Sequence, residues 1–291
     1  MYRIEFFSDP QKFLAVMGPI YENDESCAIL PLGVALRIAE DIAAYGKHQP
    51  LLAVVRDDQD YVAASAVMTP PQRLLVYSDM PDEEALAILA EEIWEQGWQL
   101  HGVNGPAPAS EAFAQFWAAL ERTRPMPQTR QVSYELRQVQ RPKLPAGEVR
   151  LAELMDAPQV LAMLDAMQQE LDLFLQPAWT LEKVQLSILK KNVFVWQSAS
   201  GPAAMAMTTR PTRQSVTISS VYTLPAARNQ GIASALTALL AEEILSRGYR
   251  QVNLFADKAN PVSNHIYQAI GFVARCEYQE IDFAAAPDRL A

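Results

Sequence analysis

The sequence contains little of what several classes of protein depend on. Its 291 residues include only two cysteines, Cys27 and Cys276, whose separation fits neither a metal-binding motif nor a disulfide framework. They are therefore predicted to be reduced structural thiols, and no metal ion is expected. No apolar run approaches the roughly 18 residues of a membrane-spanning helix. The opening MYRIEFFSDP also lacks the charged-then-apolar pattern of a secretory signal, so a cytoplasmic protein is predicted.

Positive charge is also scarce. Aspartate and glutamate total 34 against 24 lysines and arginines, which gives a formal net charge of −10. Nucleic acids and anionic membranes attract basic faces, so neither is expected as a partner. Hydrophobic residues make up 50% and charged residues 20%, as in soluble globular proteins with a sizeable core. The length suits two domains of about 100–200 residues each.

The motifs of nucleotide-binding proteins are missing as well. The sequence has no G-x-G-x-x-G and no G-K-[ST], which disfavours a dehydrogenase or a nucleotide-binding fold. Instead, one glycine-bearing corner stands out at residues 221–236, VYTLPAARNQGIASAL. The pattern predicts the end of a strand, a short turn and the opening of a long helix, Ile232–Ser246.

The turn in this corner has the features of an anion site. The first N–H groups of a helix have no partner within it and carry partial positive charge, so this start suits a phosphate or pyrophosphate. An ordinary strand–turn–helix corner, with Gly231 for tightness, is the alternative interpretation.

A second informative stretch follows at residues 260–272, NPVSNHIYQAIGF. Asn260 is a residue type that caps helices, and Pro261 suits the first helical position. Tyr267 is seven residues on, which places it two turns along the same helical face as Asn260. A core aromatic whose hydroxyl bonds a carbonyl is the alternative interpretation of Tyr267.

The predicted elements of the second half repeat those of the first. Both halves read as three strands, a helix, a strand, a helix and a strand, which indicates an internal duplication. Three pairs of matching positions, about 140 to 150 residues apart, mark the repeat: Leu51 with Val193, Asp82 with Asn229, and Trp98 with Gln251.

The proline-containing stretch at 140–147 is the best candidate for a linker, which divides the chain into domains at 1–139 and 148–291. Local signals within the first domain predict a helix at Leu32–Tyr45 and a strand at Trp98–Val103. They also predict a helix beginning at Glu111 with Ser110 as its cap.

Two motifs together resemble the signatures of the GNAT superfamily of N-acetyltransferases. R-N-Q-G-I-A at 228–233, with Leu224-Pro225 before it, matches R/Q-x-x-G-x-G/A. The stretch at 260–272 matches N-x-x-A-x-x-L-Y-x-x-x-G-F, with Ser263 in place of the usual alanine. The resemblance covers residues 148–283 and reaches 1–139 only through element order. It implies an α/β fold with a mixed sheet, a tandem GNAT-like acyl-CoA N-acyltransferase.

The resemblance also implies a reaction. Acetyl-CoA would be the donor co-substrate, and a small-molecule or peptide amine would attack its thioester directly. Tyr267 would protonate the departing CoA thiolate, since a phenol is a reasonable proton donor to a thiolate. The residues expected to contact CoA lie along the strand end, the turn and the second helix: Val221, Tyr222, Thr223, Arg228, Asn229, Gln230, Gly231, Ile232, Ala233, Ser234, Asn260 and Ser263.

The general base is not evident from the sequence. Many family members carry a carboxylate on the long strand, whereas residues 215–223 here, SVTISSVYT, contain none. Glu170 or Asp172 acting through water, His265, or no single residue are the open alternatives. Tyr222 and Ser219 are polar candidates for the acceptor side.

The missing carboxylate also keeps a second function open, a catalytically silent acyl-CoA-binding or regulatory module. The matching corner of the first half, at 78–85, carries Asp79, Asp82, Glu83 and Glu84. Acidic side chains suit a helix start but repel a pyrophosphate, so the first domain is predicted to lack a CoA site.

Overall fold

A computed structural model describes residues 1–171 and 178–285. Eight α-helices and twelve β-strands lie within these residues, together with 3-10 turns at Leu154–Asp156 and Pro225–Ala227. In the first half the elements are β1 Arg3–Phe6, α1 Pro10–Asn23, α2 Glu25–Glu40, β2 Leu51–Arg56, β3 Val62–Met68, β4 Leu74–Tyr77, α3 Glu83–Glu95, β5 Gly102–Pro106, α4 Ala107–Glu121 and β6 Thr123–Leu136. In the second half they are β7 Glu148–Leu151, α5 Ala157–Glu170, α6 Leu181–Leu189, β8 Val193–Ser198, β9 Gly201–Thr209, β10 Ser215–Thr223, α7 Ile232–Ser246, β11 Gln251–Asp257, α8 Pro261–Ala269 and β12 Val273–Ala285.

The element order of the first half recurs in full in the second. Each half begins with a strand and two helices and continues with three strands, a helix, a strand, a helix and a strand. The pairing pattern recurs too. β1 to β4 pair antiparallel in sequence and β4 pairs parallel with β5, while β7 to β10 pair antiparallel and β10 pairs parallel with β11. The repeat predicted from the sequence is therefore present in the fold.

The first compact unit comprises residues 1–133, 256–259 and the described part of 274–291. Its strands β2 and β3 are buried on both faces. Leu51, Ala53 and Val55 face a cluster that includes residues of α3 and α4, while Leu52 and Val54 face a cluster built on α1 and α2. This alternation is what the two-residue period of a strand requires when helices cover both faces.

The second compact unit comprises residues 134–255 and 260–273, with strands in the order β11-β10-β9-β8-β7. Side chains from β8 and β9 pack with those of α5 and α6 in one cluster, which also includes Tyr222 of β10. Helix α7 has apolar residues on almost every face, and eight of its residues are buried, among them Leu236 and Leu240. It is therefore an interior helix of its unit.

The compact units do not coincide with a division of the chain at 140–147. Strand β12, the last of the chain, pairs antiparallel with β5, with Tyr278 opposite Pro106 and Asp282 opposite Gly102. It is therefore part of the first unit, while residues 134–136 at the end of β6 are part of the second. No local sequence pattern specifies which partner an apolar strand takes, so the pairing of β12 with β5 was not predicted.

Three local predictions in the first half were wrong at their boundaries. Helix α4 begins at Ala107, not after Ser110, whose hydroxyl lies inside the helix and donates to the Pro106 carbonyl at 3.2 Å. β5 runs from Gly102 to Pro106, and a Cβ at Gly105 would collide with the Val76 carbonyl oxygen. Gly105 is thus required for close strand packing. Helix α2 ends at Glu40, with Asp41 as its cap, several residues before Tyr45.

Candidate functional site

A cavity of about 650 Å³ lies in the second unit, a size typical of small-ligand sites. The end of α5, the end of β10, the start of α7 and the first turns of α8 form it. Of the residues expected to contact CoA, all but Gln230 line this cavity, and Tyr267 and Glu170 line it as well. Its lining residues are Met167, Glu170, Leu171, Val221, Tyr222, Thr223, Ala227, Arg228, Asn229, Gly231, Ile232, Ala233, Ser234, Asn260, Val262, Ser263, Ile266 and Tyr267.

A break in β10 opens the cavity. The register with β9 shifts between Ser219 and Tyr222, and Ser220 has a left-handed backbone with φ of 51°. The parallel register with β11 runs only from Ser215 to Ile218. A bulge bends a strand and exposes backbone that a regular ladder would use. The stretch from Val221 to Thr223 therefore borders the cavity.

The turn before α7 is shaped for an anion. Asn229 and Gly231 both have positive φ, 61° and 79°, a turn geometry that points successive N–H groups to one side. The first bond of the helix runs from the Ala235 N–H to the Gly231 carbonyl, and within the described chain no side chain caps this end. The N–H groups of the first turn are thus available to a ligand.

Gly231 is required here by its backbone conformation. A Cβ added to it would meet no atom within 4 Å, so crowding within the protein does not explain the glycine. Its φ of 79° is one that other residues rarely adopt. Gly231 is also one of the residues that line the cavity.

The matching helix start in the first unit is built differently. The Asp82 carboxylate caps α3 by accepting the Ala85 N–H at 3.0 Å, and Glu83 and Glu84 occupy the first turn. This cap satisfies N–H groups that the α7 start leaves open, and its charge opposes an anionic ligand.

The first unit has its own cavity of about 440 Å³, lined by Cys27, Cys276, Asp24 and Tyr77 among others. The neighbouring Cys276 thiol together with burial raises the pKa of Cys27. A raised pKa keeps a thiol protonated and unreactive, in line with the predicted structural role.

Helix α8 positions the tyrosine of the second signature. The Asn260 Oδ1 caps the helix by accepting the Ser263 N–H at 3.1 Å, as predicted, which leaves the Asn260 amide N–H groups for a ligand. Tyr267 packs against Phe272 with ring centroids 6.0 Å apart and is 9% exposed. Burial raises its pKa to about 12. Within residues 1–171 and 178–285, no group forms a hydrogen bond with its hydroxyl.

Glu170, Tyr222 and Arg228 form a cluster on the cavity wall. The Arg228 Nη2 lies 2.9 and 2.7 Å from the two Glu170 oxygens, and the Tyr222 hydroxyl donates to Glu170 Oε1 at 2.8 Å. These bonds from Tyr222 and Arg228 hold the pKa of Glu170 below its ordinary value, while burial and Glu170 raise that of Tyr222. A carboxylate held in this way is a weak proton acceptor.

The remaining candidate residues either do not line the cavity or lie outside the described residues. Asp172 lies outside the described residues. His265 is exposed on α8 and does not line the cavity, and neither does Ser219. Gln230 is exposed, and its side-chain amide donates to the Ala226 carbonyl at 3.4 Å.

Sequence reasoning missed the apolar part of the lining, formed by Met167, Leu171, Ala227, Val262 and Ile266. Val262 and Ile266 are four residues apart on α8, a spacing that places them on one face, so the helical period could have found them.

Comparisons with known proteins identify the fold of the chain. Residues 199–281 match the model of a family described as FR47-like protein. A GNAT-family acetyltransferase from Colwellia psychrerythraea aligns over 97% of this chain and 99% of its own, at 12% identity and a TM-score of 0.60. A GCN5-related N-acetyltransferase from Sphaerobacter thermophilus aligns over 98% and 96%, at 17% identity and a TM-score of 0.62. The chain has a GNAT fold.

The fold is present in tandem. A tandem GNAT protein from the clavulanic acid biosynthesis pathway aligns over 98% of this chain and 100% of its own, at 12% identity and a TM-score of 0.55. The FR47-like match includes β10, the start of α7 and Tyr267, so it covers most of the cavity wall of this GNAT fold. No curated protein sequence matches the chain.

Two features are absent from the described residues. None of the helices there has both the length and the apolar character that crossing a membrane requires. Residues 1–171 and 178–285 contain no group of three or more histidine, cysteine, aspartate or glutamate side chains arranged to hold a metal ion.

Proposed function

We propose that this protein transfers an acetyl group from acetyl-CoA to a primary amine, and that the second unit carries the reaction. One observation supports this most. A single cavity is lined both by a glycine-bearing helix start and by Tyr267, and among the described residues no side chain caps that helix start or bonds the Tyr267 hydroxyl. The first is suited to a pyrophosphate and the second to the sulfur of a thioester.

Each part of acetyl-CoA has candidate partners among the residues that line the cavity. The first-turn N–H groups of α7, from Ile232 to Ser234, are the candidates for the pyrophosphate. The backbone of residues 221–223 would bond the pantetheine arm, as would Asn260 and Ser263, which also line the cavity. The apolar lining from Val262 and Ile266 suits the aliphatic part of the arm.

The reaction then needs one bond formed and one broken. The amine nitrogen attacks the acetyl carbonyl carbon, and the carbon–sulfur bond breaks to release the CoA thiolate. Tyr267 donates a hydrogen bond or its proton to that thiolate. The proton lost by the amine passes to water, with Glu170 as the candidate that would assist. The acceptor is a small-molecule or peptide amine.

Thiol release tests the proposal. Acetyl-CoA is incubated with a panel of primary amines, and free CoA is followed together with the mass of the acetylated amine. Gly231→Glu, which places bulk and negative charge at the pyrophosphate position, serves as the control and should abolish both CoA binding and thiol release. Tight CoA binding without product from any amine would instead indicate the silent acyl-CoA-binding module. The proposal is refuted if the unaltered protein does not bind CoA.

A further inference from the structure

The cavity of the second unit contains an internal competitor for its ligand. Among the described lining residues Arg228 is the only cation and Glu170 is the only anion, and the two are bonded to each other. The cation nearest the anion-binding turn is thus already paired with a carboxylate of the protein itself.

Three contacts hold Arg228 in this position. Its Nη2 bonds both oxygens of Glu170, its Nε donates to the Thr223 carbonyl at 3.1 Å, and its guanidinium lies over the Tyr222 ring at 5.4 Å from the centroid. Only the contact to Glu170 supplies a full negative charge. The Arg228 and Glu170 side chains are 41% and 44% exposed, so water and other anions have access to both.

Exposed ion pairs are weak, contributing about 0–1 kcal/mol, whereas a pyrophosphate offers two charges and several acceptor oxygens. We propose that Glu170 holds Arg228 in the unliganded protein and that the pyrophosphate of CoA takes Arg228 over, which releases the Glu170 carboxylate. This inference rests on the proposed function and assigns Glu170 a positioning role through Arg228.

Release has a consequence for the acceptor side of the cavity. With Arg228 on the phosphate, Glu170 keeps its bond from Tyr222 and becomes an unneutralised carboxylate beside the apolar residues Met167 and Leu171. Such a group attracts a cationic amine and accepts a proton more readily than one paired with arginine. The carboxylate therefore becomes available only once the donor is bound.

Isothermal titration of CoA into matched variants tests this exchange. Glu170→Gln removes the charge but retains an oxygen that accepts from Tyr222, so it should tighten CoA binding by up to about fivefold, the factor that corresponds to about 1 kcal/mol. Arg228→Gln should weaken binding. In the Arg228→Gln background, Glu170→Gln should have no further effect.

Two controls locate the effect. Glu243→Gln breaks a similar exposed pair with Arg247 on α7, outside the cavity, and should leave CoA affinity unchanged. Pantetheine has the arm but no phosphate and should bind the parent protein and Glu170→Gln equally.

Several outcomes would overturn the exchange while leaving the proposed function intact. Weaker or unaltered CoA binding by Glu170→Gln would show that Glu170 does not compete for Arg228. An equal gain with and without Arg228 would indicate plain repulsion of phosphate by the carboxylate, and an equal gain for pantetheine would indicate obstruction of the arm. If the parent protein does not bind CoA, both the inference and the proposed function fail.

Discussion

Tyr267→Phe is the most informative single change because it removes one oxygen and little else. The ring is 9% exposed and packed against Phe272 and Tyr134, with centroids 6.0 and 6.4 Å away. Since no described residue hydrogen-bonds to its hydroxyl, the phenylalanine ring should keep the same packing. We expect the unfolding free energy to change by less than about 0.5 kcal/mol.

The size of the kinetic effect follows from the pKa of the phenol. Burial raises the pKa of Tyr267 to about 12, while a cysteine thiol in solution has a value of about 8.5. Complete proton transfer from this buried phenol to a thiolate is therefore uphill. The hydroxyl is better suited to donating a hydrogen bond to sulfur as charge develops there.

A hydrogen bond to a charged group contributes about 1.5–3 kcal/mol, which corresponds to roughly 10- to 150-fold in rate. We expect Tyr267→Phe to lower kcat by about 10²-fold while the Kd for CoA stays within a factor of about two. A general acid that transfers its proton fully would contribute up to about 10⁴-fold, so the measured factor also separates the two roles.

The assay compares kcat for the amine that reacts fastest in the panel, with CoA affinity from titration and stability from thermal unfolding. Tyr249→Phe is the matched control, because Tyr249 lies in the loop after α7 and outside the cavity. Unaltered turnover in Tyr267→Phe would remove Tyr267 from the mechanism. A loss of the same size in Tyr249→Phe would show that the assay reports on the fold.

Three further substitutions test the starts of helices α7 and α3 and the residue that precedes α5. Gly231→Glu should raise the Kd for CoA by more than 10²-fold, measured by titration, because the new carboxylate lies at the phosphate position. Asp82→Ala removes the cap of α3, so denaturant unfolding should show a loss of about 1 kcal/mol with CoA affinity unchanged. Asp156→Asn weakens the buried pair in which Arg150 Nη1 donates to Asp156 Oδ2 at 2.6 Å, and should cost about 2 kcal/mol at pH 7. Arg150 lowers the pKa of Asp156, so this stabilisation is present above the ordinary pKa of about 4 and is lost as the pH falls through the lower folded value. The denaturant stabilities of parent and Asp156→Asn should therefore converge below pH 4.

Elements with strong local signals were predicted well. The bounds of α7 were predicted at Ile232–Ser246 because Gly231 marks the start, Gly248 the end, and leucines recur between them. Asn260 was predicted to cap α8, and it does so. Glycine conformation and capping are set by residues within a few positions of each other, and such signals are visible in a sequence.

Features that depend on distant residues could not be predicted in the same way. The bond between Glu170 and Arg228 joins residues 58 positions apart, and the choice of β5 as partner for β12 spans most of the chain. The left-handed Ser220 that opens the cavity lies in a stretch whose alternation reads as an unbroken strand. In each case tertiary packing determines the arrangement, and the local sequence pattern carries no information about it.

The repeat itself supplies a comparison for the cluster of Glu170, Tyr222 and Arg228. In the first unit the Tyr77 hydroxyl at the end of β4 donates to Asp24 Oδ2 at 3.4 Å, a carboxylate that follows α1 as Glu170 ends α5. The tyrosine–carboxylate pair is thus present in both copies, but the turn of the first copy carries acids where the second carries Arg228. Burial raises the pKa of Asp24, whereas that of Glu170 is lowered. The bond from Tyr222 and then that from Arg228 lower the pKa of Glu170, so moving Arg228 to a phosphate should raise this pKa and make Glu170 a stronger proton acceptor.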